Sequence, residues 1–454
     1  MRRTAVINIV ALSARLIGPH TPNILAYARK QNQASYSPSF PALTCTSQSD
    51  ILTGKKPSEH GIVANGWYNR DYSEVHFWKQ SNHLVKAPKI WETLKKRDPE
   101  FTCAKLFWWY NMYSTADYTI TPRPMYPADG RKVFDIYTQP MGMREEIKKD
   151  LGEFPFFTFW GPKAGIECSQ WIAKSAMWTE EKQSPTLSLV YLPHLDYNLQ
   201  RLGPKHPDIA KDLQAIDSVV GELIDFYEAR GVQVILLSEY GITDVDTPIH
   251  INRALREKGW LNTKEELGLE QLDAGISQAF AVADHQIAHV YLNDSSIAHE
   301  VRETLLSLQG VDQVLDRNQQ KDLGIDHERS GDFIAVANEN AWFTYYYWLD
   351  DNKAPDFART IDIHRKPGYD PVELFIDPKL KLPPARIAKF LLKKKLGFRA
   401  LLDVIPLDAS LVKGSHGCRP SNKQDWPVLI SPLQAPENLE SIDIHDLLLS
   451  HFEQ

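Results

Sequence analysis

Between Ser39 and Gly54 the sequence reads SFPALTCTSQSDILTG. The hydroxyls of Thr44, Thr46, Ser47 and Ser49 and the thiol of Cys45 crowd together behind Pro41, and Ile51 and Leu52 then lead into Thr53-Gly54. A hydroxyl where a helix begins has two uses. The unpaired amides and the dipole of a first helical turn favour an anion, so a Thr there could attack a phosphoryl group held against them. The same residue type is also the ordinary N-cap, accepting hydrogen bonds from those amides. The stretch alone leaves both uses open.

Other residues able to do chemistry lie at the ends of apolar runs. Asp196 stands in PHLDYNLQRLGP after the run 186–192, and Glu239-Tyr240-Gly241 close the run 232–241. His416 stands in a late GSHG. Asp362-Ile363-His364 would put a carboxylate and an imidazole on one face of an extended segment, with Asp370 six residues on. Asp284, His285 and His289 form a second such group, and His194 and Asp408 lie close in sequence to Asp196 and His416. Arg123, Arg131, Arg201 and Arg365 are candidate phosphate partners. The aromatic-dense stretches 106–118 and 342–351 could line a pocket for a flat or apolar group, or simply pack the core.

The elements that must position these residues follow from periodicity. Residues 5–12 (AVINIVAL), 186–192 (TLSLVYL) and 232–241 (VQVILLSEYG) read as buried strands. Residues 21–30 read as a helix with Pro22 in its first turn. Residues 208–231 place Leu213, Ile216, Val219, Val220, Leu223, Ile224 and Tyr227 at helical spacing, ended by Gly231. Continuous apolar strands alternating with helices predict an α/β fold: a doubly wound, mostly parallel central sheet flanked by helices, with ligands beyond the carboxyl ends of its strands. Residues 1–245 and 331–454 are expected to form this core, and 246–330 a smaller α+β insertion. From 384 the tail reads as a basic amphipathic helix, its Lys393-Lys394-Lys395 run a solvated helix end.

Composition bounds the function. Hydrophobic residues make up 43% and charged residues 24%, an ordinary globular balance. A net charge of −7 argues against a nucleic acid polymer as partner. Cys45, Cys103, Cys168 and Cys418 are scattered with no CxxC pair, which suits free thiols in a reducing, cytoplasmic setting. The N-terminal MRRTAVINIVALSA imitates a signal peptide, but Asn8 interrupts its apolar run and a first strand is the better reading. No run is apolar for the ~18 residues of a membrane span.

Read onward from residue 39, the pattern FPALT, then LTG..P..HGI with Asn65 and Tyr68 beyond, resembles the nucleotide pyrophosphatase/phosphodiesterase branch of the alkaline phosphatase superfamily. The early strand leading to TPN, the YLPxxD strand end, the Ser-acid-X-Gly strand end and the late GSHG follow in the same order. The resemblance implies an alkaline phosphatase-like fold, with Thr44 as nucleophile and Asn65 steadying the phosphoryl oxygens; Arg201 and Arg365 are carried forward from residue type alone as candidate substrate-binding residues. It also implies zinc, one or two ions, with manganese the alternative, and a small phosphate ester or phosphonate as substrate.

Departures from the pattern concern the metal ligands. The resemblance places an Asp-Gly where this chain has Val10-Ala11, an Asp-His where it has Glu239-Tyr240, and a His where it has Gln200. Asp196 and His416 match ligand positions, Glu239 keeps a carboxylate, and Asp362 and His364 are the first candidates to rebuild a site, with His285 next. The expectation is a metal-dependent hydrolase of a phosphodiester, phosphomonoester or phosphonate. The alternatives are a non-catalytic relative that binds an anionic or aromatic ligand or a protein, and a one-metal lyase or transferase on the same scaffold.

Overall fold

The computed structural model describes residues 1–398 and 400–453. Seven strands of the large sheet precede residue 245: β1 (Thr4–Ile9), β2 (Asn32–Ser35), β3 (Cys103–Leu106), β4 (Tyr118–Pro122), β5 (Ile136–Gln139), β6 (Leu187–Leu192) and β7 (Gln233–Leu237). Four more, β8 (Ala279–Asp284), β9 (Ile287–Leu292), β10 (Val311–Leu315) and β11 (Phe333–Ala337), form a second sheet, and β12 (Val428–Ser431) returns to the first.

The large sheet has eight strands in the order β2-β12-β7-β1-β6-β3-β4-β5. Its centre is parallel: β1 pairs with β6 and with β7, bringing Ile7 opposite Val190 and Leu236. The outer pairs β4–β5, β2–β12 and β12–β7 are antiparallel. Every residue of β1, β6 and β7 is buried, which is why these strands read as unbroken apolar runs. The predicted strands at 5–12 and 232–241 are real but shorter. β7 stops at Leu237, and a Cβ on Gly241 would lie 1.8 Å from the Asp425 carbonyl oxygen, so the chain beyond β7 passes hard against another loop.

Six helices matter below: α1 (Pro22–Lys30), α2 (Thr44–Thr53), α3 (Ile166–Gln183), α4 (His194–Leu202), α5 (Ile209–Glu228) and α6 (Pro383–Lys395). α3 packs on β6, and α5 packs on β7, α1, α3 and α4. The apolar residues expected to face the sheet from 208–231 are all buried. The buried Asp217 of α5 accepts from the first-turn amides of Asn23 and Ile24, placing a carboxylate at the positive end of α1.

The second sheet is antiparallel throughout, in the order β8-β9-β11-β10, over its own apolar cluster. The hairpin β8–β9 turns at His285-Gln286. Gln286 N donates to the His416 carbonyl, and this contact brings the turn of the small sheet to the loop that carries His416. All four cysteines are free thiols. Among the described residues no helix is long and apolar enough to cross a membrane.

Candidate active site

The stretch 39–54 forms α2, whose N-cap is Leu43 and whose first residue is Thr44. Leu43 has no side-chain acceptor, so the capping reading of Thr44 does not hold. The Thr44 hydroxyl instead lies 3.2 Å from the Tyr240 phenol oxygen. The first-turn amide of Cys45 is taken by Asn65, whose Oδ1 accepts from it at 3.0 Å. All ten residues of α2 are buried, and the helix ends on Gly54 in the left-handed region.

Tyr240 comes from the end of β7. Its hydroxyl donates to Asp196 Oδ1 at 3.2 Å, so the bond to Thr44 runs from the Thr hydroxyl to the phenol oxygen. Asp196 sits in the first turn of α4, directly after β6. Its other oxygen accepts from Gln200 Nε2 at 2.7 Å, one helical turn on. Gln200 Oε1 in turn accepts from the Tyr369 hydroxyl at 3.0 Å.

The aromatic rings complete the circuit. Tyr240 stacks on His416 with centroids 3.6 Å apart and planes within 8°. His416 lies 3.9 Å from His285, and His285 stacks on Tyr369 at 3.6 Å. Tyr240, His416, His285, Tyr369, Gln200 and Asp196 thus form a closed belt, half stacked rings and half hydrogen bonds. His285 adopts φ +59°, an uncommon backbone state for a non-glycine residue. Asp284 Oδ1, 2.7 Å from its Nδ1, and the two flanking rings hold it there.

Asp284 also ties the belt to the oxyanion side. It accepts from Asn65 N at 2.8 Å and from Asn65 Nδ2 at 3.1 Å. His416 reaches its place because its loop presses on α4: a Cβ on Gly414 would stand 2.1 Å from the Leu199 carbonyl oxygen. His416 Nδ1 donates to the Ala42 carbonyl at 2.7 Å, which leaves Nε2 a bare lone pair, buried and unpartnered, 3.8 Å from Asp196 Oδ1.

Burial governs the electrostatics. It pushes the Asp196 carboxyl up to about 7, against the pull of the Gln200 and Tyr240 hydrogen bonds. It pushes Asp284 up to about 7 against the bonds from Asn65. Glu239 rises to about 8 from burial, eased by donation from Gln48 and Asn8. His416 and His285 are both pushed well below the usual imidazole range by burial. Among the described residues no Lys or Arg side chain hydrogen-bonds to a member of the belt.

The structure brings Thr44, Asn65, Asp196, His416, His285 and Asp284 into this one constellation, with Glu239 beside it. It does not bring the others. Arg201 donates to the Pro162 and Ala164 carbonyls, and the exposed Arg365 pairs with Asp356. His364 Nδ1 lies 3.4 Å from the Phe77 carbonyl, and Asp362 N donates to Glu373. Asp370 and Glu373 instead clasp the buried Lys366, each at 2.7 Å. His289 meets the Val63 carbonyl and the Gly331 amide, His194 pairs with Asp212, and Asp408 caps a turn.

Zinc of the expected kind takes four ligands from His, Cys and carboxylate. Here Asp196 and His416 offer one carboxylate and one imidazole, and Gln200 is committed at both ends of its amide. Glu239 Oε1 accepts from both Asn8 and Gln48. Val10 is buried hydrocarbon, although Ala11 beside it keeps the positive φ (63°) that suits the glycine of the resembled pattern. Among the described residues no three His, Cys, Asp or Glu side chains converge as a metal-holding group. The donor set does not fit the two-zinc arrangement. Gln200, read in the sequence only as a departure from the ligand pattern, and Tyr240, read as such and as a strand-end residue, are structural members of the belt. Tyr369 carried no signal there.

Comparison with known proteins supports the fold and the family. The family described as "Type I phosphodiesterase / nucleotide pyrophosphatase" matches residues 4–370. An uncharacterized pyrophosphatase/phosphodiesterase of Schizosaccharomyces pombe is 28% identical over 235 residues, covering 49% of this chain and 41% of that protein. Ectonucleotide pyrophosphatase/phosphodiesterase 1 of Saccharomyces cerevisiae is 23% identical over 242 residues, covering 47% of this chain and 29% of that protein. The matches thus span less than half the length of these curated relatives. Two solved structures share the fold over nearly the whole chain. Murine ectonucleotide pyrophosphatase/phosphodiesterase 5, solved as an inactive variant with AMP, gives a TM-score of 0.60 at 13% identity and covers 100% of this chain and 95% of its own. Phosphonoacetate hydrolase of Sinorhizobium meliloti, with phosphonoformate, gives 0.62 at 14% identity and covers 99% and 95%.

Proposed function

Because the chain belongs to the type I phosphodiesterase / nucleotide pyrophosphatase family, we propose that it hydrolyses a phosphodiester or phosphonate ester of a small molecule by attack of the Thr44 hydroxyl. One observation carries this reading: Thr44 opens α2, and its hydroxyl leads through Tyr240 to a buried carboxylate. Thr44 Oγ1 forms the bond to phosphorus while the bond to the leaving oxygen breaks. The Thr44 proton passes to the Tyr240 oxygen as the Tyr240 proton passes to Asp196, and the leaving alkoxide takes a proton from water. The hydroxide left by that transfer then attacks the phosphothreonine, and as the bond to Thr44 Oγ1 breaks the proton returns from Asp196 through Tyr240 to Thr44.

The donors for the phosphoryl oxygens are the first-turn amides of α2 other than that of Cys45, which Asn65 holds, and the second Nδ2 hydrogen of Asn65, the first being given to Asp284. The metal-dependent chemistry expected from the resemblance finds no ligand set here, so each step is assigned to the chain's own residues. Three carboxyls surround the site and no cation is bonded to its belt, which favours a monoanionic diester over a dianionic monoester. AMP and phosphonoformate, the ligands of the two structural neighbours, are small anions of the same general kind.

A second reading, ligand binding without turnover, is favoured by the closure of the belt, in which Asp196 and Gln200 are satisfied by their neighbours. Hydrolysis of bis(p-nitrophenyl) phosphate separates the two. The expected result is turnover that survives EDTA and vanishes in Thr44→Ala. Wild type indistinguishable from Thr44→Ala, with EDTA, zinc or manganese, leaves the binding reading. Turnover that requires an added ion refutes the metal-free proton route.

A further inference from the structure

The amphipathic tail is not used by the site, and its surroundings are unlike the rest of the surface. From Pro378 to Phe398 the sequence has seven Lys and Arg and no Asp or Glu. The whole chain carries −7, so the remaining residues carry −14. α6 opens on Pro383-Pro384, which suit a first helical turn, and its last turn is Lys393-Lys394-Lys395. No residue of α6 is buried. Ile387, with Leu380 before and Leu402 after, leans on the second apolar cluster and anchors the segment at its base. Leu391, Leu392, Leu396 and Phe398 point elsewhere and are 57–65% exposed. Lys394 Nζ lies 5.5 Å from the Phe390 ring centroid, so cation and hydrocarbon share the outer side.

Four large apolar side chains exposed together within eight residues are costly to leave in water. Seven cations beside them, six of them without an acidic partner among the described residues, exclude a purely apolar partner. Arg386 pairs with Asp403. Nucleic acid would use the cations and leave Leu and Phe idle. A surface that takes both has anionic headgroups over hydrocarbon. We infer that α6 and the residues to Phe398 form an arm that docks on an anionic lipid surface, Leu391, Leu392, Leu396 and Phe398 entering the headgroup boundary and the lysines meeting the lipid charge. The arm lies on the surface and does not span it.

The test is co-sedimentation of the full chain with vesicles of phosphatidylcholine alone or with one quarter phosphatidylglycerol. Binding to the anionic vesicles only, weakening with salt, is expected. At about fivefold per lysine near the surface, changing Lys393, Lys394 and Lys395 together to Gln should weaken partitioning about a hundredfold. Changing Leu391, Leu392, Leu396 and Phe398 together to Gln should weaken it at least about tenfold, since each loses buried apolar area. All seven side chains are exposed, so thermal melting of both variants should match wild type. Equal partitioning on neutral vesicles, or none on either, overturns the inference. So does equally tight binding to a single-stranded oligonucleotide that the Leu and Phe changes leave intact. Concentration-dependent dimerisation lost in the Leu and Phe variant, without vesicle binding, assigns the face to a second copy and also overturns it.

Discussion

Tyr240→Phe removes one oxygen and keeps the ring. The stack on His416, at 3.6 Å, has no need of the hydroxyl and should survive. Two hydrogen bonds are lost, from Thr44 to the phenol and from the phenol to Asp196 Oδ1. Asp196 keeps Gln200, but its freed oxygen and the Thr44 hydroxyl are left in a buried site, at a cost of about 1–3 kcal/mol of folding stability. The kinetic loss should be larger. A positioned proton acceptor contributes about a hundredfold or more, so kcat on an activated diester should fall by roughly that factor. KM should change little, because the phenol is already engaged by Thr44 and Asp196. Initial rates across a substrate series, with urea unfolding alongside, separate the two effects. A kcat within about threefold of wild type, in a variant that shows the expected stability loss, refutes the proton route through Tyr240.

Two further predictions concern the supports of the site. Asp284→Ala leaves Asn65 N and Nδ2 without their acceptor and should cost about 3 kcal/mol or more in urea unfolding; a loss below about 1 kcal/mol would show that Asn65 is held by something else. Lys105 is buried with its Nζ donating to the Trp109 and Tyr110 carbonyls, and burial lowers its pKa from 10.5 to about 7. Between those values the unfolded chain binds a proton that the folded chain does not, so folding stability rises with pH there and is lost as pH falls toward 7. Relative to Lys105→Met, wild type should therefore gain roughly 1 kcal/mol per pH unit between about pH 7 and 10 in chemical unfolding. Parallel profiles for the two proteins would mean that Lys105 stays charged when folded.

The central strands, α5 and the motif around Thr44 were legible in the sequence because their signals are local. A strand buried on both faces must be apolar at every position, as β1, β6 and β7 are. A helix packed on a sheet must repeat its apolar residues at helical spacing, as α5 does. Asp196 and Glu239-Tyr240 were legible as strand-end residues for the same reason.

What the sequence determined, then, was the fold, the family and the positions, Val10, Gln200 and Tyr240, at which this chain departs from the resembled pattern. Only the tertiary structure decided what the exchanges built. His285, Tyr369 and His416 are far apart along the chain, yet the hairpin turn of the second sheet and the loop pressed on α4 stack them into one belt with Tyr240. The same packing left Asp362 and His364 outside it, each engaged elsewhere. The physical reason is that periodicity reports which face of an element is buried, whereas a site depends on which loop ends meet, and that is set by how the turn of the second sheet seats against the loops beyond the first.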